Sequence, residues 1–322
     1  MKEEIRLSVG IPTYNQGEYL GECIQSLLDQ TVQPLEIVVS NNHCTDCTDE
    51  VLEKFRGRIR VIRPPSHIPM FPNFNYLVSQ LSGEWFSVLC SDDVAKKDFV
   101  KILTQGINAS SKAVLVHAPY ELIDKQGKSL GVKRFKKVRR ITSPPDTFNQ
   151  ELPNSKVCLP ASAVRKDTWR KVGGFPEQCG ICADWGFTVL ISPEGDFIYQ
   201  PETVMSYRYQ YRPELDRARH MEWLQNDSVI YTQIVPKVMK KLADVNARKV
   251  RRMGQKRLHG ALSLLSRMLG PEEKQEVVRA VNEWAEEYGC EVELARFAAG
   301  DILPRRTGLY LVVKVLRNLL RF

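Results

Sequence analysis

Hydrophobic residues in the first third of the chain alternate between short apolar runs and helical spacing. Runs rich in Val, Ile and Leu predict buried strands, and apolar residues three or four positions apart predict helices that cover a sheet. Strands are predicted at 7–12, 35–39, 58–62, 85–89 and 113–117, and helices at 18–28, 46–55 and 74–81. Strands and helices that alternate in this way are typical of a parallel α/β sheet.

The pattern changes twice further along the chain. It breaks at 125–145 and resumes as a strand at 157–164, followed by a helix from Asp167 and another that ends near Ile191. Beyond Pro213 the spacing of the apolar residues is almost entirely helical. The sequence therefore predicts an α/β domain over 1–212 and a helical region over 213–322.

The last segment, 305–322, is mostly apolar and carries its cations on one helical face. Lys314, Arg317 and Arg321 lie at positions i, i+3 and i+7. A basic amphipathic helix of this kind suits an anionic membrane surface. The same pattern also fits a helix packed on the protein's own core or on a second subunit, and the sequence does not choose between these.

The charge of the chain favours anionic partners. Its 322 residues carry 46 Lys and Arg against 38 Asp and Glu, a net charge of +8. Nucleotide phosphates, anionic lipids and nucleic acid all fit such an excess. The segment 133–140 holds six cations in eight residues. Such a run is typical of a solvated loop, and it also suits a clamp on phosphate or on a membrane.

Composition also predicts the compartment. The charged residues at 1–4 are unlike a secretory signal peptide, and no apolar run approaches the ~18–20 residues that cross a bilayer. We therefore expect a cytoplasmic protein, soluble or peripheral on the inner face of the plasma membrane. Eight cysteines are too few for a disulfide scaffold. The C-x-x-C pairs Cys44/Cys47 and Cys179/Cys182 would form a zinc site only if their loops met, so independent reduced thiols are expected.

Two adjacent carboxylates, Asp92 and Asp93, closely follow the strand predicted at 85–89. Open α/β sheets bind ligands at the carboxyl ends of their strands, and carboxylate oxygens suit Mg²⁺ or Mn²⁺. A divalent ion at this place implies a phosphorylated partner. The alternative is that one aspartate caps a helix expected from about Lys96.

Further motifs follow in a fixed order. Residues 12–15 end the first strand, 41–46 follow the second, Asn75 precedes Gly83 and Glu84, and 173–175 are followed by Asp184 and Trp185. With 91–93, this order resembles the family-2 inverting glycosyltransferases of the GT-A fold, of the bacterial polysaccharide and O-antigen type, over roughly 5–210. The absence of G-x-G-x-x-G after the first strand and of G-x-x-x-x-G-K-[ST] excludes a Rossmann dehydrogenase and a P-loop protein.

The resemblance implies a fold and a reaction. The fold is a GT-A α/β fold, a mixed sheet flanked by helices, with a helical C-terminal extension. The reaction is metal-dependent, inverting transfer of a sugar from a nucleotide-diphosphate donor to a glycan or lipid-linked acceptor in cell-surface polysaccharide synthesis. Asp184 is then the general base. Asp92 holds Mg²⁺ or Mn²⁺ on the donor diphosphate, with Asp93 beside it.

The resemblance also implies the remaining site residues. On the donor side they are Pro12, Thr13 and Tyr14, which wall the base pocket, and Asn15, Asn41, Asn75, Ser91 and Arg208. On the acceptor side they are Gly174, Phe175 and Trp185.

The chain departs from the family pattern at several of these positions. Cys90 stands in place of the first aspartate of D-x-D, Asn41 and Asn42 replace an acidic pair, and Ala183 replaces a glutamate. With one carboxylate missing, donor phosphates must supply metal ligands, so the metal should bind weakly without donor. An amide both donates and accepts hydrogen bonds, so Asn41 does not name the base. Losses at these positions are more typical of an impaired or non-catalytic homologue than of an active member of the family.

Two alternatives remain at this point. A nucleotidyltransferase of the same fold also uses carboxylates, a metal and nucleotides, but the turn at 12–17 lacks the cations that such enzymes place there. A non-catalytic homologue that binds nucleotide or nucleic acid is the other. The basic run has no interleaved aromatic residue beyond Phe135, so no nucleic acid partner is expected. The expected partners are the sugar donor, the acceptor and an anionic membrane contacted through 305–322, and an oligomer is compatible with the sequence.

Overall fold

The computed structural model describes residues 5–153, 155–209, 226, 229–242, 245–246, 248, 250 and 253. The chain divides into two compact units, Met1–Tyr211 and Arg212–Phe322. In the second unit a π-helical turn at Ile230–Ile234 leads into a short helix at Val235–Met239. Across the described residues, no helix combines the length and apolar character needed to cross a membrane. The helix predicted at 305–322 lies outside the described residues.

The first unit contains nineteen regular elements and two 3₁₀ turns, Leu159–Ala161 and Glu177–Cys182, within the described residues. The elements are, in chain order, β1 (Leu7–Thr13), α1 (Gly17–Leu28), β2 (Glu36–Asn41), α2 (Thr48–Glu53), β3 (Arg60–Ile62), α3 (Met70–Gln80), β4 (Trp85–Val88), β5 (Val94–Ala95), α4 (Phe99–Ile107), β6 (Ala113–His117), β7 (Tyr120–Ile123), β8 (Ser129–Lys133), β9 (Ile141–Thr142), α5 (Asp146–Glu151), β10 (Ser162–Arg165), α6 (Lys166–Val172), α7 (Ala183–Ile191), β11 (Asp196–Tyr199) and β12 (Met205–Arg208).

An eight-stranded mixed sheet forms the centre of this unit, in the order β3-β2-β1-β4-β10-β6-β11-β9. The first four of these strands are parallel, and their connecting helices cover the sheet. Leu20, Ile24 and Leu27 of α1 are fully buried, as the helical spacing predicted. The α/β sheet expected from the sequence is therefore present.

Strand β10 runs antiparallel to both β4 and β6. Its direction brings the start of β10, and the 3₁₀ turn before it, to the edge at which β4 ends. The 3₁₀ turn Leu159–Ala161 and the start of β10 thus lie beside the acidic turn that follows β4, although they are far from it in sequence.

A smaller sheet of four strands, in the order β5-β12-β7-β8, lies beyond that acidic turn. Residues 94–95 pair with β12, so the helix expected from about Lys96 begins only at Phe99. The interval 125–145, in which no element was predicted, contributes β8 and β9. Strand β8 is exposed along its whole length and β9 has only two residues, and such strands leave no apolar run in the sequence.

Two other predicted boundaries differ from the observed ones. Helix α3 begins at Met70 instead of 74, because Pro69 precedes it and Pro72 lies in its first turn, where proline is tolerated. The strand predicted at 157–164 is instead the 3₁₀ turn Leu159–Ala161 followed by β10.

Candidate active site

The loops that follow β1 and β2 lie side by side and present an exposed aromatic pair. Thr13 pairs with Asn41, and the N–H of Asn42 donates to the carbonyl of Thr13 over 3.1 Å. The next residue, Tyr14, is 50% exposed, and its ring centroid lies 4.3 Å from that of His67. Tyr14 and His67 thus offer aromatic faces on which a base can stack. Pro12 and Thr13 are buried beneath them, so of the predicted base wall only Tyr14 is presented to solvent.

Asn15 links the same two loops. Its φ of 50° is in the left-handed region, and its Oδ1 accepts the N–H of Thr45 over 2.8 Å. Nearby, Asp46 accepts hydrogen bonds from the N–H groups of Gly17 and Thr48. Partial burial raises the pKa of Asp46, but hydrogen bonds from Thr48 and Gly17 outweigh it and hold that pKa below its ordinary value. The loops that border the aromatic pair are therefore fixed by side chains of their own.

The amides of Asn41 and Asn42 are occupied by protein groups. Asn41 is fully buried, donates to Asp49 over 2.7 Å and accepts the N–H of Cys44 over 3.0 Å. Asn42 is 3% exposed and both donates to and accepts from the backbone of Ile68. The structure thus gives Asn41 a role in shaping the loop, in place of the predicted contact with base or ribose. The exposed carboxylate of Asp49, which the sequence analysis did not select, lies next to it.

The acidic turn after β4 is tied to the β1 loop. The hydroxyl of Ser91, a fully buried residue, donates a short hydrogen bond to Oε1 of Gln16. Asp92 is half-buried, and Asp93 is 1% exposed. Burial and the neighbouring Asp92 raise the pKa of Asp93 well above its ordinary value. Asp92 is therefore the acid at the surface of the turn, and Asp93 lies behind it.

Arg208, at the end of β12, braces this turn from inside the protein. Its N–H donates to Oδ1 of Asp93 and its Nε–H to the carbonyl of Asp92, both over 2.9 Å. Its Nη atoms donate to the carbonyls of Asp124 and Lys125 and to the carboxylate of Glu22. The guanidinium also lies 4.7 Å from the ring centroid of Tyr19.

Those contacts change the role expected of Arg208. The residue is only 4% exposed, and every nitrogen of its guanidinium donates to a protein acceptor. The structure therefore assigns Arg208 to the support of the acidic turn, and not to a loop that closes over the donor diphosphate.

Asp184 lies at the start of α7, behind the turn that contains Gly174 and Phe175. It is half-buried, and its Oδ1 accepts the N–H of Trp185 over 2.7 Å. Burial raises the pKa of Asp184 despite that hydrogen bond. An aspartate with a raised pKa is a stronger base than an exposed one, as general-base catalysis requires.

Three residues expected to bind the acceptor are structural in this protein. Trp185 is 5% exposed, and its Nε1–H donates to the carbonyl of Glu151 over 2.8 Å. Phe175 is 1% exposed and packs against Phe71 and Phe187. Gly174 is buried as well. These residues hold Asp184 in place from behind and do not form an open acceptor wall.

Asn75 connects α3 to that turn. Its Oδ1 accepts the N–H of Phe175 over 2.8 Å, and its Nδ2 donates to the carbonyl of Phe175 and to Glu177. Because the amide is occupied in this way, Asn75 supports the Asp184 side of the site instead of contacting the donor as predicted.

Cys158, just before the 3₁₀ turn Leu159–Ala161, is close enough to acids of two different elements to feel their charge. Burial raises the pKa of its thiol, and the carboxylates of Asp93 and Asp184 raise it further. Two tyrosines adjoin it: Tyr120, whose pKa burial, Cys158 and Asp93 raise to about 12, and Tyr207, whose ring centroid is 5.8 Å from that of Tyr120. The structure therefore brings the acidic turn and Asp184 into one neighbourhood lined by tyrosines. The sequence analysis did not select Cys158 or Tyr120, which no motif marks.

The described residues provide few metal ligands. They contain no group of three or more His, Cys, Asp or Glu side chains arranged to hold a metal ion, and Cys44, Cys47, Cys179 and Cys182 are reduced thiols. Burial, with Asp93 and Asp92 nearby, raises the pKa of Cys90 well above its ordinary value, so its neutral thiol does not replace a carboxylate. Asp92 and Asp93 are the two carboxylates of the turn at which the sequence analysis expected a cation.

Comparison with known proteins identifies the family. The model of the family described as glycosyl transferase family 2 matches residues 8–171, slightly more than half of the chain. The chain belongs to this family. The matched region contains the Tyr14 loop, the acidic turn and Cys158, whereas Asp184 and Arg208 lie beyond it.

Several family 2 relatives align with part of the chain. Glycosyltransferase GlyG of Streptococcus pneumoniae is 29% identical over 124 residues, 38% of this chain and 41% of that protein. The chondroitin synthase of Pasteurella multocida is 25% identical over 194 residues, 59% of this chain and 19% of that protein. An uncharacterized glycosyltransferase of Haemophilus influenzae is 26% identical over 213 residues, 63% and 65% of the two chains. The chain thus spans less than two thirds of each of these relatives.

Solved structures share the fold. S. aureus TarS 1–349 in complex with UDP superposes with a TM-score of 0.65 at 18% identity, over 98% of this chain and 89% of that chain. The mannosyltransferase PcManGT from Pyrobaculum calidifontis, in complex with GDP-Man and Mn²⁺, gives a TM-score of 0.55 at 13% identity, over 99% and 88%. The GT-A fold expected from the sequence is confirmed.

Proposed function

We propose that this protein is a glycosyltransferase that moves a sugar from a nucleotide-diphosphate donor to a hydroxyl of a glycan or lipid-linked acceptor. One observation carries the proposal: Asp93 of the acidic turn and the base candidate Asp184, which come from different elements, both lie near enough to the thiol of Cys158 for their charges to raise its pKa. Membership of family 2 supports the reaction class. The name of the chondroitin synthase supports a polysaccharide as the product, and synthesis of a cell-surface polysaccharide is part of the proposal.

The donor side begins at the exposed pair of Tyr14 and His67, which suits a nucleotide base. The hydrogen bond from Ser91 to Gln16 ties that loop to the acidic turn, so base and diphosphate have neighbouring sites. TarS with UDP and PcManGT with GDP-Man share the fold and support a nucleoside diphosphate sugar as the donor.

Asp92 and Asp93 fit a divalent cation. Oδ2 of Asp93 is buried and has no hydrogen-bond partner among the described residues, and Asp92 is at the surface of the same turn. Carboxylate oxygens are hard ligands of the kind that Mg²⁺ and Mn²⁺ bind, with phosphate oxygens and water completing the shell. When bound, the cation offsets the charge that develops on the leaving diphosphate.

Asp184 is the general base of the proposed reaction. It takes the proton of the acceptor hydroxyl as that oxygen bonds to the anomeric carbon, and the nucleoside diphosphate leaves with the electron pair of the broken bond. Attack opposite the leaving group inverts the anomeric centre. The protein contributes chiefly position, because both reactants are held beside fixed acids.

A peripheral position on the inner face of the membrane is part of the proposal. A lipid-linked acceptor would be reached there without a membrane span. The segment 305–322, which the sequence suggested as a contact, lies outside the described residues.

A thermal-shift panel tests the donor site. UDP, dTDP, GDP and CMP are each added with and without Mn²⁺ to the wild-type protein, to Asp92→Ala and to Asp29→Ala. Asp29 is an exposed aspartate that directly follows α1. We expect one diphosphate to raise the melting temperature only with Mn²⁺, in wild type and Asp29→Ala but not in Asp92→Ala. A shift that survives in Asp92→Ala would contradict the assignment of Asp92, and binding without sugar transfer would indicate a non-catalytic homologue.

A further inference from the structure

Strand β8 forms an exposed edge with aliphatic side chains on it. It pairs only with β7 in the small sheet, and all five of its residues are exposed. Leu130 is 53% exposed and Val132 is 45% exposed, and because they are two residues apart they share one face of the strand. An exposed edge strand with aliphatic side chains is a template for unwanted pairing, which soluble proteins usually avoid. This edge is therefore a candidate surface for a partner.

The last residue of β8 and the segment that follows it carry the six cations of 133–140, all of them exposed. Arg134 donates to the carbonyl of Pro201, and Arg139 forms an exposed ion pair with Asp146. No acidic residue in the described part of the chain pairs with Lys133, Lys136, Lys137 or Arg140. We call 124–141, the turn and second strand of the antiparallel β7–β8 pair together with these cations, the basic hairpin; it joins the cations to Leu130 and Val132.

The basic hairpin is held at defined points. The ring of Phe135 lies 5.8 Å from His117, 6.3 Å from Tyr120 and 6.5 Å from Tyr199, measured between centroids. The N–H of Tyr199 donates to the carbonyl of Arg140 over 2.9 Å. These contacts hold the segment that carries the cations at a defined position on the protein. A solvated loop without such contacts would leave its cations unfixed.

The start and the middle of the hairpin reach the candidate active site. At its start, the carbonyls of Asp124 and Lys125 accept hydrogen bonds from Arg208, which braces the acidic turn. Further on, Phe135 contacts Tyr120, whose hydroxyl lies within reach of the charge on Asp93. A surface that the hairpin binds would therefore be next to the site.

We infer that the basic hairpin docks the protein on an anionic phospholipid bilayer. Leu130 and Val132 enter the boundary between headgroups and acyl chains, while Lys133, Lys136 and Lys137 lie among anionic headgroups. A nucleic acid fits less well, because it offers nothing for exposed aliphatic side chains and Phe135 is already covered by other rings. The inference rests on the membrane-peripheral part of the proposed function and assigns that contact to described residues near the site.

Vesicle binding of the full chain tests this inference. Co-sedimentation is measured, without donor, on phosphatidylcholine vesicles and on vesicles with about 30% phosphatidylglycerol. We expect binding to the anionic vesicles only. The variant Lys133→Gln/Lys136→Gln/Lys137→Gln should bind on the order of 100-fold more weakly, because each cation near such a surface contributes about fivefold.

A matched variant distinguishes the contribution of the hairpin lysines to vesicle binding from that of the protein's overall charge. Lys54→Gln/Lys97→Gln/Lys112→Gln removes three exposed lysines from other elements and should change binding by less than about threefold. Leu130→Thr/Val132→Thr keeps strand propensity and should remove the part of the binding that persists at high salt. Melting temperatures of all variants confirm folding.

Three outcomes would overturn the inference. They are wild-type protein that ignores anionic vesicles, equal losses in the two lysine variants, and an oligonucleotide bound more tightly than the vesicles. Because donor and acceptor are absent, failure here is distinct from failure of the proposed reaction: an Asp184→Asn protein that no longer transfers sugar should still bind the vesicles.

Discussion

The Nε–H of Arg208 donates to the carbonyl oxygen of Asp92 over 2.9 Å, while the backbone N–H of Arg208 binds the carboxylate of Asp93 over the same distance. One residue thus holds both acids of the turn from behind. The carboxylate of Glu22, on α1, accepts from the same guanidinium over 2.6 Å and links the turn to the first helix. The position of Asp92 therefore depends on three elements that are distant in sequence.

Replacing Arg208 should misplace Asp92 without removing it. Lysine offers a single point charge in place of the planar guanidinium with its several fixed donors, so both Arg208→Lys and Arg208→Met should lose the brace. We expect kcat/KM for sugar transfer to fall about 100-fold, since a displacement of about 1 Å at a catalytic group costs that much. The Mn²⁺ concentration for half-maximal activity should rise, and a metal titration of transfer rate measures it.

The control for this prediction is Arg170→Met, which removes an arginine whose exposed ion pair with Asp167 contributes little. Its rate and metal dependence should match those of the wild type. If Arg208 variants melt earlier but keep the wild-type metal dependence, the residue only stabilises the fold and does not position Asp92.

Asp184→Asn should abolish proton removal from the acceptor. The asparagine has nearly the same shape and its Oδ1 can still accept the N–H of Trp185. We expect the transfer rate to fall ~10²–10⁴-fold, the usual contribution of a general base. Nucleotide binding, followed by thermal shift, should be nearly unchanged, and its loss would contradict the assignment. Asp167→Asn, an exposed aspartate on α6, is the matched control.

The same assignment sets the pH dependence of the reaction. A base acts only when ionised, and burial raises the pKa of Asp184 above the ordinary value of 3.8. The rate should therefore decline on the acid side at a higher pH than an exposed aspartate would give. A profile of kcat/KM against pH gives the pKa of this acid limb. A pKa at or below the ordinary value for aspartate would show that a different group titrates.

Much of the fold could be predicted because its signal is local. The runs that became β1, β2, β4 and β6 consist of residues that are almost all buried, and burial on both faces produces continuous apolar runs. The position of Asp92 at the edge of the sheet could be predicted in the same way, because Asp92 closely follows the buried strand β4. Strand β8 could not be predicted, because all of its residues are exposed.

The roles of several site residues could not be predicted, because their partners are remote. Asn75 is 100 positions from Phe175, and Arg208 is 186 positions from Glu22. A motif shows that an amide or a guanidinium is present, but not whether protein groups already occupy it. Asn41, Asn75 and Arg208 were all expected to contact the donor, and all three bind protein groups instead.

Gly173 and Gly174 offer a direct measure of the Asn75 contact. Both have left-handed backbones, with φ of 86° and 87°, so alanine should cost about 1 kcal/mol at either. A Cβ at Gly173 meets nothing within 4 Å, whereas at Gly174 it would lie 2.6 Å from Oδ1 of Asn75. Gly174→Ala should therefore destabilise the protein by about 1–3 kcal/mol more than Gly173→Ala, because Asn75 must leave Phe175.

Urea unfolding of the two alanine variants checks this difference, with Asn75→Ala and Asn75→Ala/Gly174→Ala as the third and fourth proteins. Once Asn75 is truncated, adding Gly174→Ala should cost only the left-handed backbone term. Equal costs for Gly173→Ala and Gly174→Ala in the presence of Asn75 would show that the asparagine moves aside freely and does not fix the turn.

Glu151 should make stability depend on pH. It is fully buried, and burial raises its pKa from 4.5 to about 7 even though Lys156, Gln150 and Ser155 donate hydrogen bonds to it. A folded-state pKa above the unfolded one stabilises the protein below pH 4.5, and that stabilisation disappears as the pH rises through about 7. The difference corresponds to about 3 kcal/mol.

Urea unfolding near pH 5 and pH 8 should show most of this loss in wild type and none of it in Glu151→Gln. The variant Glu50→Gln, at an exposed glutamate, is the control and should lose stability as the wild type does. If the free energies of unfolding of wild type and Glu151→Gln change in parallel between the two pH values, Glu151 titrates like a solvated carboxylate. It would then not act as a buried neutral acid beside Trp185.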